Sequence, residues 1–235
     1  MSRKNSHTAT LFHFTKNQNT LFSILKRGLK FSFCKEDIAD DAFVAPPMIS
    51  FCDIPLLSCK EHRSKYGTTA IGFDKESFAN IGKGLQIGTV NYFKGHQYEL
   101  TKMLTSMIKD KNKNVGWFKQ FEQKRNEKNQ CNYDECEWRL LAFSRENGDD
   151  ISWFWDKTEY RLWREQQKDK FLEDIVIRFK PSDIKYIVVN QESTIVSTVK
   201  KILKLTQFAG NKITQEEKEI LCSRIISFEN LKSDF

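Results

Sequence analysis

The stretch Leu11-Phe-His-Phe-Thr15, followed by Leu21-Phe-Ser-Ile-Leu-Lys-Arg-Gly28, decides the fold predicted for this chain. The first stretch predicts a short strand, and the second predicts an amphipathic helix that ends at its glycine. Because side chains alternate along a strand, His13 and Thr15 share one face, and the two phenylalanines point into a core on the other. A histidine and a threonine on one face suit a nucleotide site, and a core histidine with a backbone partner is the alternative.

The composition is that of a folded protein with a phenylalanine-rich core. The chain has 235 residues, of which 39% are hydrophobic and 29% are charged, and 19 are phenylalanine. This length fits one large domain, or one domain with an appendage. The net charge of +7 favours encounter with polyanions, but it does not by itself indicate nucleic-acid binding.

The cysteines and the first residues of the chain predict a cytoplasmic location. No two of the six cysteines have the C-x-x-C spacing of a zinc ribbon or a redox motif. The chain starts without an apolar signal core, and no apolar run approaches the length of a membrane span. We therefore expect reduced thiols, no metal and no membrane segment.

Short apolar segments outnumber the helices and do not alternate strictly with them, which predicts an α+β fold with a mainly antiparallel sheet and flanking helices. The predicted strands are Ala9–Thr15, Leu29–Cys34, Met48–Asp53, Thr68–Phe73, Ile87–Phe93, Trp138–Phe143, Ile175–Phe179 and Ile184–Val189. The predicted helices are Thr20–Arg27, Pro55–Lys65, Lys75–Ile81, Gln97–Lys128, Ser193–Lys204 and Thr214–Ser227. This pattern gives one α+β domain over residues 1–190, with a basic helical insertion at about 94–130, and a helical C-terminal appendage over 191–235.

The insertion carries a local excess of positive charge. Residues 109–130 hold seven basic and three acidic side chains. A solvated helix face accounts for this excess, and a basic lip over a phosphate-bearing ligand is the functional alternative. The C-terminal helices are amphipathic and either pack on the sheet or offer a face to a partner protein.

The stretch Asp134-Glu-Cys-Glu-Trp-Arg-Leu-Leu141 places two carboxylates and a guanidinium in one row. Glu135, Glu137 and Arg139 share a face by the two-residue period of a strand. Such a row suits acid/base catalysis by the two glutamates, or it holds a ribose hydroxyl with the help of the arginine. The alternative is an ion-pair ladder on the surface of an edge strand.

Aromatic side chains supply two further candidates. Tyr66 precedes a glycine at the mouth of a predicted strand, where its ring can stack on a planar ligand, although a half-buried tyrosine would look the same. The segment Ser152–Trp163 holds three tryptophans. They suit base stacking or partner binding, but a buried aromatic cluster is the simpler explanation.

Several of these pieces together resemble the AbiGi family of abortive phage-infection proteins. The resemblance rests on Leu11–Thr15, Leu21–Gly28, Ser50-Phe-Cys-Asp-Ile-Pro-Leu56, Tyr66-Gly67, Ile71-Gly-Phe-Asp74 and Glu135-Cys-Glu-Trp-Arg139, and runs from about Thr10 to Val189. It implies the antitoxin half of a two-gene phage-defence system, with a toxin or effector encoded nearby as its protein partner.

A second resemblance is to ADP-ribosyltransferases, and it implies a split antiparallel sheet and NAD as cofactor. On that resemblance His13 holds a ribose, Tyr66 stacks on nicotinamide, and Glu137 binds the ribose 2′-hydroxyl during transfer of ADP-ribose to a macromolecule. The chain lacks the Ser-Thr-Ser element of those enzymes. Thr15 and Glu135 would assist His13 and Glu137. A non-catalytic antitoxin and a nucleic-acid-binding protein that uses the basic insertion are the alternatives.

Overall fold

The computed structural model describes residues 8–39, 42–78, 84–94, 97–125, 128–166 and 172–234. Its contacts divide the chain into two compact units. The first unit comprises Met1–Lys30, Phe51–Ala79 and Val176–Phe235, and the second comprises Phe31–Ser50 and Asn80–Ile175. The predicted appendage thus falls within the first unit, and the predicted insertion falls within the second.

The described residues form a mixed α+β architecture. The helices are α1 (Gln18–Arg27), α2 (Lys60–Tyr66), α3 (Tyr98–Lys109), α4 (Lys157–Glu165), α5 (Ile195–Leu203), α6 (Gln215–Ser223) and α7 (Phe228–Asp234). The strands are β1 (Thr10–Thr15), β2 (Leu29–Lys30), β3 (Ser32–Phe33), β4 (Glu36–Ala39), β5 (Ala42–Val44), β6 (Pro47–Cys52), β7 (Thr69–Asp74), β8 (Leu85–Thr89), β9 (Asn91–Phe93), β10 (Phe118–Gln120), β11 (Glu122–Arg125), β12 (Lys128–Cys131), β13 (Glu137–Ala142), β14 (Val176–Ile177), β15 (Ile184–Val189), β16 (Gln207–Phe208), β17 (Asn211–Lys212) and β18 (Ile225–Ser227).

The sheet of the first unit has the strand order β18-β15-β7-β1. β1 and β7 pair antiparallel from Thr10 opposite Asp74 to Thr15 opposite Thr69. β7 and β15 are also antiparallel, and β15 and β18 are parallel. The predicted helix over residues 214–227 was therefore wrong beyond Ser223, because the β-branched pair that follows it adds a strand to the sheet.

Helix α1 ends where the sequence predicts, at Arg27, but it begins at Gln18, two residues before the predicted start at Thr20. The Asn17 side chain accepts a hydrogen bond from the Thr20 backbone N–H, which caps its start. The backbone N–H of Gly28 donates to Ile24 O at 2.8 Å, and Gly28 has a φ of +92°. A side chain there would also meet the Ile177 carbonyl oxygen at 2.5 Å, so both conformation and space require glycine.

The face of β1 that carries its phenylalanines is covered, as predicted. Phe12 is buried in a cluster with Ala70, Val188 and Phe228, and Phe14 packs against the same cluster. This contact also fixes α7, which begins at Phe228. Phe228, with Ile226 and Leu231 packed beside it, is therefore part of the core of the first unit.

The second unit builds its sheet on β13, which lies between β6 and β8, and β3 pairs with β6. β13 and β8 are antiparallel, with Trp138 opposite Thr89. Leu140 and Leu141 of β13 are fully buried. The core around this strand contains Ile38, Ala42, Val44, Met48, Phe93, Leu104, Ile108, Val115, Leu141 and Trp153.

The predicted helix over Gln97–Lys128 was wrong after Lys109. Helix α3 buries Leu104 and Ile108, which are one turn apart, but no apolar residue follows until Val115. Asn112 instead caps a 3-10 turn over Lys113–Trp117, and the aromatic residue Phe118 after it favours strand β10. Strands β11 and β12, which pair antiparallel, follow. The insertion is thus helical only in its first part.

The tryptophan segment packs inside the second unit. Trp153 is buried, and its indole N–H donates to Ala142 O at 3.0 Å. Trp163 packs edge-on against Phe33, with ring centroids 5.0 Å apart. Trp153 is thus part of a buried aromatic cluster, as predicted, while Trp155 and Trp163 are half-buried. No helix among the described residues is long and apolar enough to cross a lipid bilayer.

Candidate functional site

Five charged side chains meet in the interior of the second unit. Each is less than a tenth exposed, and Arg139 is completely buried. We call this group the charge cluster; its members are Glu36, Lys119, Glu135, Glu137 and Arg139. Three carboxylates thus face two cations in a space that excludes most water. Burial of charge on this scale is tolerated only where the charges are paired and hydrogen-bonded.

Lys119 joins the two glutamates of the sequence motif. Its ammonium lies 2.8 Å from Oε2 of Glu135 and 2.7 Å from Oε2 of Glu137. The lysine comes from β10, where it lies opposite Tyr92 of β9. The two carboxylates would repel each other without this cation between them.

Arg139 holds the other side of the cluster. Its Nε lies 3.0 Å from Oε1 of Glu137, and its Nη2 pairs with Glu36. Its Nη1 donates to the backbone carbonyl of Gly116 at 2.7 Å. The guanidinium therefore ties β13 to β4 and to the turn before β10.

The carboxylate of Glu137 has its acceptor positions filled. Oε1 accepts from Ser50 Oγ at 2.9 Å and from Arg139 Nε at 3.0 Å. Oε2 accepts from Lys119 Nζ at 2.7 Å and from Arg139 Nη2 at 3.4 Å. A carboxylate offers about four lone-pair sites. These four hydrogen bonds match that capacity.

A backbone kink brings the two glutamates to one cation. Glu135 ends a 3-10 turn and Glu137 begins β13, and Cys136 between them is left-handed with a φ of +41°. The alternative of an ion-pair ladder on the surface of an edge strand was wrong, because β13 has a neighbour on each side and the charged groups are buried. The carboxylates of Glu135 and Glu137 do point the same way, as predicted. The cause is the kink at Cys136 and not strand alternation, because Glu135 lies outside β13.

The pKa values of two acids in the cluster shift in opposite directions. Burial opposes ionisation of Glu137, but Arg139 and Lys119 outweigh it and hold the pKa of that carboxyl well below its usual range. Burial raises the pKa of Glu36, and Arg139 offsets this only in part. Lys119 has a raised pKa, because the surrounding carboxylates outweigh the cost of burying its charge. Glu137 is thus the fixed anion of the group, and Glu36 is the acid that is harder to ionise.

Three aromatic rings border the cluster, and we call them the aromatic trio: Tyr92, Phe121 and Tyr133. The backbone N–H of Glu137 donates to the Tyr92 hydroxyl at 3.0 Å. Tyr133 stacks on Phe121 with centroids 5.3 Å apart and meets Tyr92 edge-on at 5.4 Å. Tyr133 remains 54% exposed. The trio therefore runs from Tyr92, which contacts the charge cluster, to Tyr133, which is exposed to solvent.

The other predicted site residues belong to the first unit. The Thr15 hydroxyl is buried and lies 2.6 Å from the Thr69 hydroxyl. The His13 ring meets Phe51 at 5.8 Å. Tyr66 meets His62 at 4.9 Å, and His62 meets Phe14 at 5.5 Å. That chain of rings follows the Phe14 side of β1, opposite the side that carries His13. Binding of NAD by these residues stays a prediction.

Two members of the charge cluster escape sequence reasoning. Lys119 lies in the segment predicted as helix, although the aromatic residues around it favour a strand. Glu36 pairs with Arg139 across 103 positions of the chain, and local patterns carry no signal for such a pair. Among the described residues, no group of three histidine, cysteine or acidic side chains is placed to hold a metal ion, and no disulfide joins the cysteines.

Comparison with known protein families identifies a match over the middle of the chain. A family model described as "Putative abortive phage resistance protein AbiGi, antitoxin" matches residues 30–190, more than half of the chain. The matched segment contains the whole charge cluster and the aromatic trio, while His13 and Thr15 precede it. No curated protein and no solved structure matches the chain.

Proposed function

The chain belongs to the AbiGi family, and from this premise we propose that it is an antitoxin of a bacterial abortive-infection system that acts by binding its partner toxin. The observation that carries this choice over catalysis is the filled carboxylate of Glu137. A group that is fully paired in the folded protein stabilises that fold, and it has little capacity left for a substrate.

Transfer of ADP-ribose would make a different demand on the same residue. Glu137 would have to accept a hydrogen bond from a ribose hydroxyl and to face a positively charged ribose. Lys119 and Arg139 already neutralise it, and Ser50 occupies one of its acceptor positions. Freeing the carboxylate would take from Lys119 and Arg139 the one anion that both of them contact, and such a loss is costly in the interior. These interactions support binding over transfer.

The aromatic trio is the surface that we assign to the partner. Its outermost ring, Tyr133, is more than half exposed but is held by two other rings and by the turn that the charge cluster anchors. Rigid tyrosines are typical anchors of protein interfaces, because they bury much area at little cost in conformational entropy. The trio also lies inside the segment shared with the family. The partner face predicted for the C-terminal helices lies outside that segment.

The stoichiometry of protection tests this proposal. The chain is co-expressed with the toxin encoded beside it, at increasing ratios, and bacterial growth and the amount of purified complex are measured. An antitoxin that acts by binding restores growth only when it reaches about the molar amount of the toxin, and the two proteins co-purify. Protection by a small fraction of that amount would contradict the proposal, since it indicates a catalyst.

Labelling with NAD tests the transferase prediction directly. Cells that express the wild type are compared with cells that express Glu137→Gln, and NAD-derived label is measured on protein and on nucleic acid. The binding proposal expects no label above background from either variant. Label that depends on Glu137, at matched amounts of soluble protein, would establish transfer of ADP-ribose and overturn the proposal.

A further inference from the structure

Two segments of the first unit carry the whole positive excess of the chain. Residues 16–30 and 193–215 contain eight basic residues and no acidic residue. The chain has 38 basic residues in all, so the other 30 are slightly outnumbered by its 31 acidic residues. The eight residues are Lys16, Lys26, Arg27, Lys30, Lys200, Lys201, Lys204 and Lys212.

These two segments are neighbours in the fold. Gln18 of α1 donates to the Thr198 hydroxyl of α5 at 3.1 Å, and the ammonium of Lys201 lies 5.2 Å from the centre of the Phe22 ring. The turn between β16 and β17 joins the other end of α1, where the backbone N–H of Gly210 donates to Lys26 O at 2.9 Å. The basic side chains of both segments therefore lie on one connected part of the first unit, which we call the basic surface.

The charge of the basic surface is not neutralised locally. All eight side chains are exposed, and none of them forms a salt bridge with an acidic residue in the part of the chain that the structure describes. Arg178, which packs beside Gly210, adds a ninth cation. By contrast, Lys185 lies 2.8 Å from Asp74 elsewhere in this unit. Glu216, Glu217 and Glu219 of α6 lie on a helix that contacts α5, but they form no ion pair with these cations among the described residues. Exposed cations without such partners attract polyanions.

We propose that the basic surface binds nucleic acid through its phosphate backbone. Seven of the eight basic residues are lysines, which are depleted in protein interfaces but are common phosphate ligands. Exposed amide and hydroxyl side chains, which also bind phosphates, accompany them on both helices. These are Asn17, Asn19, Thr20, Ser23 and Ser197. A polyanion with regularly spaced charges fits this composition better than an acidic protein does.

The basic insertion predicted from the sequence is a poorer candidate for the same role. Within it, Lys119 is buried in the charge cluster, and Lys113 pairs with Asp150. Both lysines are therefore occupied by carboxylates. The insertion nevertheless keeps three exposed lysines at α3 and just after it, and these provide a matched control for the basic surface: Lys102, Lys109 and Lys111.

The salt dependence of DNA binding tests the proposal. The full chain is titrated with a labelled duplex DNA at several salt concentrations, and it is compared with two triple variants that remove the same charge. One is Lys200→Gln, Lys201→Gln, Lys204→Gln, and the other is Lys102→Gln, Lys109→Gln, Lys111→Gln. The first is expected to bind more weakly and to have a slope of log K against log salt that is shallower by about three, or roughly one for each phosphate that it no longer neutralises. The second keeps the wild-type slope.

Two further measurements complete the test: a variant of the basic residues on α1, and competition with an acidic polypeptide. The double variant Lys26→Gln, Arg27→Gln should reduce the slope by about two, which checks that α1 and α5 act together. Equal weakening by both triple variants, or a wild-type slope near zero, would overturn the proposal. So would displacement of the DNA by polyglutamate at an equal concentration of charge, since this would identify an acidic protein as the ligand. Circular dichroism and thermal melting verify that each variant is folded.

Discussion

Lys119 donates a hydrogen bond to Glu137 across 2.7 Å, at a place where both side chains are less than a tenth exposed. The same ammonium holds Glu135, so the two glutamates that look catalytic in the sequence share one buried cation. Breaking a buried pair costs more free energy than the pair contributes, because the remaining charge stays in the interior. Stability measurements are therefore the most sensitive probe of this cluster.

Replacing Glu137 by glutamine should destabilise the protein strongly. The change keeps the shape of the side chain but leaves Lys119 and Arg139 short of one negative charge, and we expect the free energy of unfolding to fall by about 3 kcal/mol. Urea denaturation followed by circular dichroism measures it. Glu146→Gln, at an exposed position of the same unit, is the control and should change the stability by less than about 0.5 kcal/mol. Similar losses in the two variants would mean that the cluster does not support the fold.

Glu36 should make stability fall as the pH rises. Burial raises its pKa in the folded protein above the ordinary value of 4.5, so the folded state binds its proton more tightly than the unfolded state does. The stability contributed by the protonated acid is complete below pH 4.5 and is lost as the pH rises through the folded-state pKa. Relative to the wild type, Glu36→Gln should therefore gain stability as the pH increases above 4.5. A difference in unfolding free energy that is constant from about pH 4 to 8 would contradict this expectation.

Cys136 should tolerate glycine but not valine. Its φ of +41° lies in the left-handed region, which costs a residue with a side chain about 1–2 kcal/mol. Glycine removes that cost but gains entropy in the unfolded chain, so Cys136→Gly should be nearly neutral. Cys136→Val adds a β-branched side chain at the same backbone angle and should lower the melting temperature. Equal melting temperatures for the two variants would show that the kink is not maintained.

The sequence predicts β1 and the end of α1 well because their signals are local. The alternation in β1 and the final glycine of α1 follow from side-chain period and turn chemistry. The pairing of β1 with β7 joins distant segments, with Thr15 opposite Thr69, and local patterns do not give it. The helix predicted beyond Lys109 failed for the opposite reason. Charged residues there fit a solvated helix, and the pairing of β10 with β9 that overrides this pattern is a long-range interaction.

The candidate site was predicted in part and for a partly mistaken reason. Glu135, Glu137 and Arg139 do lie together, but a left-handed residue and a lysine from another strand bring them there. The sequence also leaves their burial open, because a glutamate on a strand has the same pattern whether it faces water or a buried cation.

The central claim is that this protein binds its toxin through the aromatic trio. The affinity of the two proteins for each other tests this claim most directly. Calorimetry with the purified toxin compares the wild type with Tyr133→Ala and with Tyr98→Ala, an equally drastic change at a tyrosine of the same unit that is 72% exposed. Tyr133→Ala should raise the Kd by about 30-fold or more, which corresponds to the loss of an interface anchor worth about 2 kcal/mol. Tyr98→Ala should leave the Kd unchanged. An unaltered Kd for Tyr133→Ala, with the protein folded, would contradict the account.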